Sequence, residues 1–407
     1  MDSSPTPGAG FDASTPIVVF GLSTGALHHG ALGIARSAGR MGIPVYRVCR
    51  ERFAPARLSR YGSGWMSVTW DASDEEILET LRTLAQKIGR AILIAVDDAG
   101  SVFVDTHAAA LESEFSFPRQ PAGLAQELSS KREMYELCQK HTVPTPASQF
   151  PRSEADVLAL AQEASFPIVA KCINAGDTPA SSPRVAIVND RDELLHAYRL
   201  MESPKGSNVM IQEFVPGTPE SVWMFNGYFD DESNCKVGFT GKKIRQAPPY
   251  TGATTLGVCE ANPAVYEDTV RLMQAVGYRG ILDIGFRFDE RDGQYKLLDV
   301  NPRIGGTFRL FVDPDGIDVL RALYLDLTGQ EVPSTSLPEG RRWIVEPLDV
   351  LSSITYLRRG DITIGRWVRS LRAVREAAWF ARDDPAPFLA LWLGALFYWL
   401  PRRLLGR

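Results

Sequence analysis

The chain has 407 residues, 44% of them apolar and 23% charged, which excludes disorder, collagen and coiled coil as the main architecture and leaves room for two to four domains of about 100–200 residues each. The formal charge of −5 gives no sign of a nucleic-acid partner, but it hides an asymmetry: residues 341–407 hold twelve Arg, no Lys and six acids, a local +6 on a body of −11. Five cysteines (Cys49, Cys138, Cys172, Cys235, Cys259) show no C-x-x-C spacing, which fits neither a disulfide framework nor a zinc site and points to a reducing, cytoplasmic setting.

Residues 1–15 are small, polar and rich in Pro and Gly, and read as a disordered tail rather than a signal peptide. From residue 16 the pattern alternates. The apolar run IVVFG (17–21) predicts a buried parallel strand, 26–41 a helix, 43–49 a strand, 74–88 a helix with an acidic first turn, and AILIAV (91–96) another buried strand. Alternating β and α with short connections predicts an α/β domain with an open parallel sheet over 16–127. From residue 128 the character changes. Helices are predicted at 131–140, 153–164 and 263–276, and strands at 167–172, 209–215, 221–229, 236–244, 281–289 and 295–301. Mostly antiparallel strands with few helices predict an α+β domain over 128–333, followed by a basic, increasingly apolar extension, 334–407.

The glycines of Gly21-Leu-Ser-Thr-Gly25 lie between a strand and a helix, where free backbone N–H groups can meet an anion. The spacing is neither G-x-G-x-x-G nor a P-loop, and His28-His29 beside it read as helix-surface residues. The strongest signal is ILDIGFRFDERDGQYKLLDVNPR, 281–303. Even positions Leu282, Ile284, Phe286 and Phe288 are apolar while odd positions are small or charged, the period of a strand with one buried face. In the next run Leu298 and Val300 are the apolar positions. A three-residue turn, Arg291-Asp292-Gly293, sets Asp283 across from Asn301 and Gly285 across from Asp299. Two carboxylates, Asp283 and Asp299, and the Asn301 amide then converge on one polar face, a hard-oxygen set suited to Mg²⁺, with Mn²⁺ able to substitute. Arg303, two residues on, can meet negative charge that develops on a transferred group.

Lys131 falls in the first turn of a helix opened by Ser130 and Glu133, where the helix dipole disfavours a cation. Lys171 ends an apolar strand. One nucleotide phosphate shared by both would satisfy each. The strand VMIQEFV runs into Pro216-Gly217, which leaves backbone groups for an adenine edge, with the Glu220 carboxylate nearby for a ribose.

Taken in order, Lys131, Lys171, Gln212-Glu213-Phe214-Val215 with Glu220, and Asp299-Val-Asn301-Pro-Arg303 resemble the ATP-grasp superfamily, over residues 16–330, nearest to the predicted carboxylate–amine ligases that include D-aspartate ligase. The resemblance implies two lobes clamping ATP and an amide synthesis through an acyl phosphate. It implies that Lys131 and Lys171 hold phosphates, Gln212 and the Glu213–Val215 backbone line the adenine, Glu220 takes the ribose, Asp299 and Asn301 hold magnesium, and Arg303 stabilises the reacting group. Relatives commonly carry the first metal acid where Gly285 stands; here the nearest same-face carboxylate is Asp283. The segment after Lys171, 174–184, holds one Gly where relatives often have a glycine-rich loop. Lys243 and Arg245, two apart on a predicted strand, are expected to share one face toward the γ-phosphate or the substrate carboxylate, and 246–257 is expected to be a loop walling the acceptor side. The alternatives are an ATP-grasp enzyme with a thiol, hydroxyl or bicarbonate acceptor, and a nucleotide-binding protein without turnover.

In the extension, Trp367, Leu371, Val374 and Ala378 fall on one helical stripe among arginines, and FLALWLGALFYWL (388–400) is uncharged over thirteen residues. At about 1.5 Å per residue it covers about 20 Å, short of a bilayer. It is expected to lie at an anionic membrane surface as a peripheral anchor, the alternatives being packing on the body or on a homodimer partner.

Overall fold

The computed structural model describes residues 11–394 apart from 24, 26, 52–53, 175–181 and 204–205. In chain order the first unit holds β1 (Ile17–Gly21), α1 (His29–Gly39), β2 (Val45–Cys49), β3 (Gly64–Ser67), α2 (Asp74–Ile88), β4 (Ala91–Ala95), α3 (Asp98–Thr106), α4 (Ala108–Leu111) and β5 (Phe115–Ser116). The five strands form a sheet in the order β3-β2-β1-β4-β5, every pair parallel. Its apolar strands are covered on both faces, as a parallel sheet requires. α2 is fixed at its start by reciprocal bonds between Ser73 and Glu76, the capping box that the acidic first turn announces.

Between the two sheets lies α5 (Leu124–Ser129), whose Leu124 and Leu128 pack with the later sheet. Then come α6 (Lys131–Lys140), β6 (Ser148–Gln149), α7 (Glu154–Glu163), β7 (Ile168–Cys172), β8 (Val185–Val188), α8 (Arg191–Met201), β9 (Val209–Glu213), β10 (Val222–Phe229), β11 (Cys235–Ala247), β12 (Ala253–Cys259), α9 (Pro263–Val276), β13 (Gly280–Asp289), β14 (Gln294–Asn301) and α10 (Val319–Leu327). Strands β6-β9-β7-β8 make a small antiparallel sheet with its own apolar core under α7 and α8. The larger sheet runs β14-β13-β10-β11-β12 and continues into the extension. The α/β first domain and the two-lobed α+β second domain agree with expectation.

The extension is mostly helical and also adds two strands to the large sheet. It contains β15 (Arg342–Ile344), α11 (Glu346–Arg359), α12 (Ile364–Leu371), β16 (Val374–Ala377) and α13 (Ala386–Gly394). β15 pairs with β12 and β16 with β15, completing a seven-stranded sheet. The predicted stripe through Trp367, Leu371, Val374 and Ala378 therefore breaks at Leu371, because 374–377 is strand. The segment 388–400 is described only as far as Gly394. Phe388 and Leu391 pack on the central core while Leu389, Trp392 and Leu393 are exposed, so α13 lies on the body with one apolar side outward. No helix among the described residues is long and apolar enough to cross a membrane.

The extension also locks the first domain. Arg36 of α1 donates to Asp384 Oδ2 at 2.9 Å and to the carbonyls of Ala378, Trp379 and Asp384, while Ser59 and the Arg60 N–H donate to the same carboxylate. Both charged side chains are almost fully buried. Removing one partner of such a pair leaves an uncompensated charge at a cost of about 3–5 kcal/mol. Asp384→Ala is expected to lower unfolding stability by about that amount, read as a shift of the urea midpoint at unchanged slope.

Candidate active site

The cleft lies between the small sheet and the large one. A cavity of about 270 Å³ is lined from the small lobe by Lys171, Gln212 and Glu213 to Val215, from α6 by Lys131, and from the large sheet by Lys243, Gly285, Arg287, Leu298 and Asp299. Of the residues singled out in the sequence, Lys131, Lys171, Gln212, Glu213, Phe214, Val215, Lys243 and Asp299 thus line one cavity.

Neither Lys131 nor Lys171 makes an ion pair among the described residues. Lys171 Nζ donates to Gln212 Oε1 at 2.6 Å, and Gln212 Nε2 donates to Ser148 Oγ. Burial depresses the Lys171 ammonium to about 8; Asp299 opposes this, and the Lys131 and Arg287 charges add to it. Burial likewise lowers Lys243, against the pull of Asp299 and Asp283. The Lys243 ammonium donates to the Gly252 carbonyl at 3.2 Å. The Glu213 carboxylate is a structural group: it accepts from the Ala147 N–H and from Arg291, which also binds Asp289. What Glu213 to Val215 present to the cavity is the chain turning out of β9.

The register of β13 and β14 is the predicted one at the site. Asp283 pairs with Asn301 and Gly285 with Asp299. It is reached by a different route. Asp289 pairs with Gln294 across four residues, with Gly293 at φ +73°, and the one-residue offset is removed by a bulge that leaves Leu298 unpaired. Leu297 instead of Leu298 enters the core, and Leu298 turns to the cleft floor. Asn301 Nδ2 donates to Asp299 Oδ2 at 3.3 Å and to Asp283 Oδ2 at 3.4 Å. Burial pushes the Asp283 carboxyl up to about 6, with Arg303 opposing and Asp299 reinforcing. A neutral amide thus spans two carboxylates that repel each other. The two carboxylates, with the Asn301 amide turned so that its oxygen takes the place of its NH₂ group, make a hard-oxygen set that fits a divalent cation, and two glycines leave room for the carboxylates themselves. A Cβ on Gly305 would stand 2.5 Å from Asp283 Cγ, and one on Gly285 would stand 3.0 Å from Asp299 Oδ1.

Arg303 continues the triad toward the first domain. Its Nη2 donates to Asn301 Oδ1 at 3.0 Å and its Nε to Asp98 Oδ1 of α3 at 2.7 Å. His28 and His29 are half-buried at this junction rather than on a helix surface. His28 Nδ1 accepts from the Ala31 N–H as the cap of α1, and burial holds His28 down at about 3 and His29 at about 4.

Three expectations change. Arg245 does not face the cleft. The β11–β12 ladder is irregular there: Lys243 pairs with Gly257 and Arg245 with Leu256, leaving Ile244 unpaired. Residues two apart therefore lose their common face, and Arg245 forms a buried fork with both oxygens of Asp349 on α11, at 2.8 Å each. Glu220 does not line the cavity; it is exposed on a 3₁₀ turn, Pro219–Ser221, to one side. The expected loop 246–257 is mostly strand, with only 248–252 as a turn that brings Tyr250 and Thr251 to the wall. The expected phosphate-covering segment, 174–184, lies largely outside the described residues. Arg287, not singled out from the sequence, lines the cavity and holds the Pro216-Gly217 turn through both carbonyls. It occupies the same odd-numbered face of β13 as Asp283 and Gly285, so the alternation contained that signal.

Residues 128–307 match the family described as the ATP-grasp domain. The chain carries an ATP-grasp domain. D-aspartate ligase of Enterococcus faecium (strain Aus0004) is 25% identical over 305 residues, 71% of this chain and 72% of that ligase. The crystal structure of L-amino acid ligase from Bacillus licheniformis superposes with a TM-score of 0.57 at 18% identity, covering 77% of this chain and 74% of that one. The ADP complex of N5-carboxyaminoimidazole ribonucleotide synthetase gives a TM-score of 0.64 at 12% identity, covering 86% and 87%. The two structural likenesses establish the shared fold, including the domain ahead of the ATP-grasp domain.

An anion placed between Lys131 and Lys171 would raise the depressed Lys171 pKa. At pH 8, where the free ammonium is half protonated, binding must then take up protons. Calorimetry of ADP binding in buffers of different ionisation enthalpy is expected to show proton uptake in the wild type and its loss in Lys171→Met.

Proposed function

We propose that this protein is an ATP-dependent carboxylate–amine ligase that forms an amide through an acyl phosphate. The observation that carries the reading is the set of cations gathered round one carboxylate in the cleft. Lys131 and Lys171, without ion-pair partners among the described residues, face Lys243, Arg287 and Asp299 of the large sheet, and Asn301 joins Asp299 to Asp283, with Arg303 beyond.

Lys131 and Lys171 bind the phosphates of ATP, with Gln212 fixing the Lys171 ammonium. The Glu213–Val215 segment and Leu298 enclose the base. Asp283, Asp299 and Asn301 hold a divalent cation, which when bound neutralises phosphate charge during transfer. A substrate carboxylate oxygen forms a bond to the γ-phosphorus as the bond to the bridging oxygen of ADP breaks. The amine nitrogen then bonds to the acyl carbon, phosphate leaves with the bonding electron pair, and the amine gives up a proton. The chain's part is positioning and charge compensation. Arg303, held by Asp98 and Asn301, is placed to meet charge on the acyl phosphate, and Lys243 to meet the γ-phosphate. The 25% identity to a D-aspartate ligase supports an amine acceptor over a thiol, hydroxyl or bicarbonate.

A finer part of the reading concerns a surface. Ile364 and Val368 of α12 are 67% and 47% exposed beside Arg366, Arg369 and Arg372, and Leu389, Trp392 and Leu393 of α13 are exposed as well. This supports peripheral contact with anionic lipid. Flotation with phosphatidylserine vesicles is expected to carry the wild type and not Ile364→Glu; equal flotation of both sinks this part alone.

The activity is tested by ADP release from purified protein with ATP, magnesium and pairs of amino acids. Release that requires both a carboxylate and an amine is expected, and kcat in Arg303→Met is expected to fall about 10²–10³-fold. ADP release that no amine accelerates would overturn the ligase assignment.

A further inference from the structure

A second site lies in the first domain. Val19, Arg47 and Trp65 stand side by side on paired strands β1, β2 and β3, in one row beneath α1. Such positions in a helix-covered parallel sheet are ordinarily apolar. Here the middle one is arginine, only 6% exposed. Opposite the row, α1 supplies only the small side chains of Ala31 and Ala35, and the space left between helix and sheet is a cavity of about 250 Å³. Exposed Ser63 and Arg57 stand at its outer side.

The polar groups of this cavity are unsatisfied in one sense only. Arg47 Nε and Nη2 and Trp65 Nε1 are buried with no hydrogen-bond partner among the described residues. The Arg47 guanidinium lies 4.5 Å from the Trp65 ring centroid, and the Cys49 thiol, Asp97 and Glu51 act on its charge, but Nε, Nη2 and the indole N–H still lack an acceptor. All three are donors, and arginine cannot shed its charge. A buried donor left bare costs about 1–3 kcal/mol, and more when charged. One water needs only about 10–15 Å³, far less than this cavity, and water does not neutralise the cation. The missing partner is an anion with two acceptor oxygens in a plane, matched to a guanidinium fork. The alanine and valine walls suit a short aliphatic remainder.

The position matters as well. Ala31, which lines the cavity, stands in the first turn of α1 next to Gly30, and a Cβ on Gly30 would lie 3.2 Å from the Gly306 Cα, beside the Gly305 that packs on Asp283. The cavity therefore lies under the turn of α1 that meets the segment following the Asp283–Asn301 triad.

We propose that this cavity seats the non-reacting carboxylate of an amino-acid substrate, with Arg47 as its cation and Trp65 Nε1 as an additional donor. The word substrate rests on the ligase reading; binding of a small carboxylate does not.

The test is calorimetry of the full-length protein, without nucleotide, against the common L-amino acids and D-alanine, D-aspartate and D-glutamate. Their α-amides and inorganic phosphate serve as comparisons. Binding of at least one amino acid is expected, with loss of at least tenfold in affinity for its α-amide, in Arg47→Met and in a milder degree in Trp65→Phe. ADP affinity should be unchanged in both variants. Because Arg47→Met removes a buried charge with two unsatisfied donors, its melting temperature without ligand should equal or exceed that of the wild type, which separates lost binding from lost folding. The proposal is overturned if no amino acid binds, if Arg47→Met binds as well as wild type, or if phosphate binds and every amino acid fails. Binding that needs Arg47, in a protein that makes no amide with any pair, would uphold the site and defeat the ligase reading.

Discussion

The pairing of Asp283 with Asn301 and of Gly285 with Asp299 puts two carboxylates and an amide on one face of a hairpin whose other face is core. Strand geometry alone makes this a strict choice, because a slip of one residue would exchange the two faces. The bulge at Leu298 resolves a conflict between the ends of the hairpin. Near the turn, Asp289 must meet Arg291 and Lys296, whose bonds hold its carboxyl far below the usual carboxylate range. At the far end the triad must face the cleft. One unpaired residue lets both registers hold in the same pair of strands.

The second requirement is that the first domain stay fixed against this hairpin, since Arg303 reaches the triad and Asp98 together. The extension accomplishes it. Arg36 and Asp384 close one contact. Arg309 closes another, donating to Ser37 Oγ of α1 at 3.3 Å, to Asp318 and, through its Nε and Nη2 at 2.8 Å each, to Glu376 of β16. Arg341 donates to the same Glu376. Charges buried this deeply stabilise little beyond an apolar contact, but they tolerate little misplacement. They suit a joint that must hold its alignment.

Much of this was legible in the sequence, for local reasons. Helix 131–140 begins where Ser130 caps it, helix 263–276 begins at a proline and ends at Gly277, and the period-two pattern of 281–289 fixes which face is wet. What escaped depends on partners far along the chain. Arg245 has the same spacing from Lys243 whether or not Ile244 is skipped, and only Asp349, 104 residues later, decides where it points. Residues 374–377 continue a helical stripe by composition, yet the open edge of β15 offers backbone bonds that a helix does not need. Glu220 follows a Pro-Gly turn whose direction is set by Arg287. Single-residue irregularities and edge pairings leave little trace in a one-dimensional pattern.

The cleft and the Arg47 cavity share a physical logic. In each, the folded chain buries charged groups that its own counter-charges match incompletely: the Lys171 ammonium, the Asp283 carboxyl and the Arg47 guanidinium are each shifted first of all by burial. Removing charged groups from water is unfavourable, and a depressed lysine and an elevated aspartate record that cost in opposite directions. Supplying the missing counter-charge recovers it, so a complementary ligand gains affinity from strain already present in the free protein. Such sites should also discriminate strongly, because a ligand lacking the required charge leaves the buried group as exposed to its low-dielectric surroundings as before.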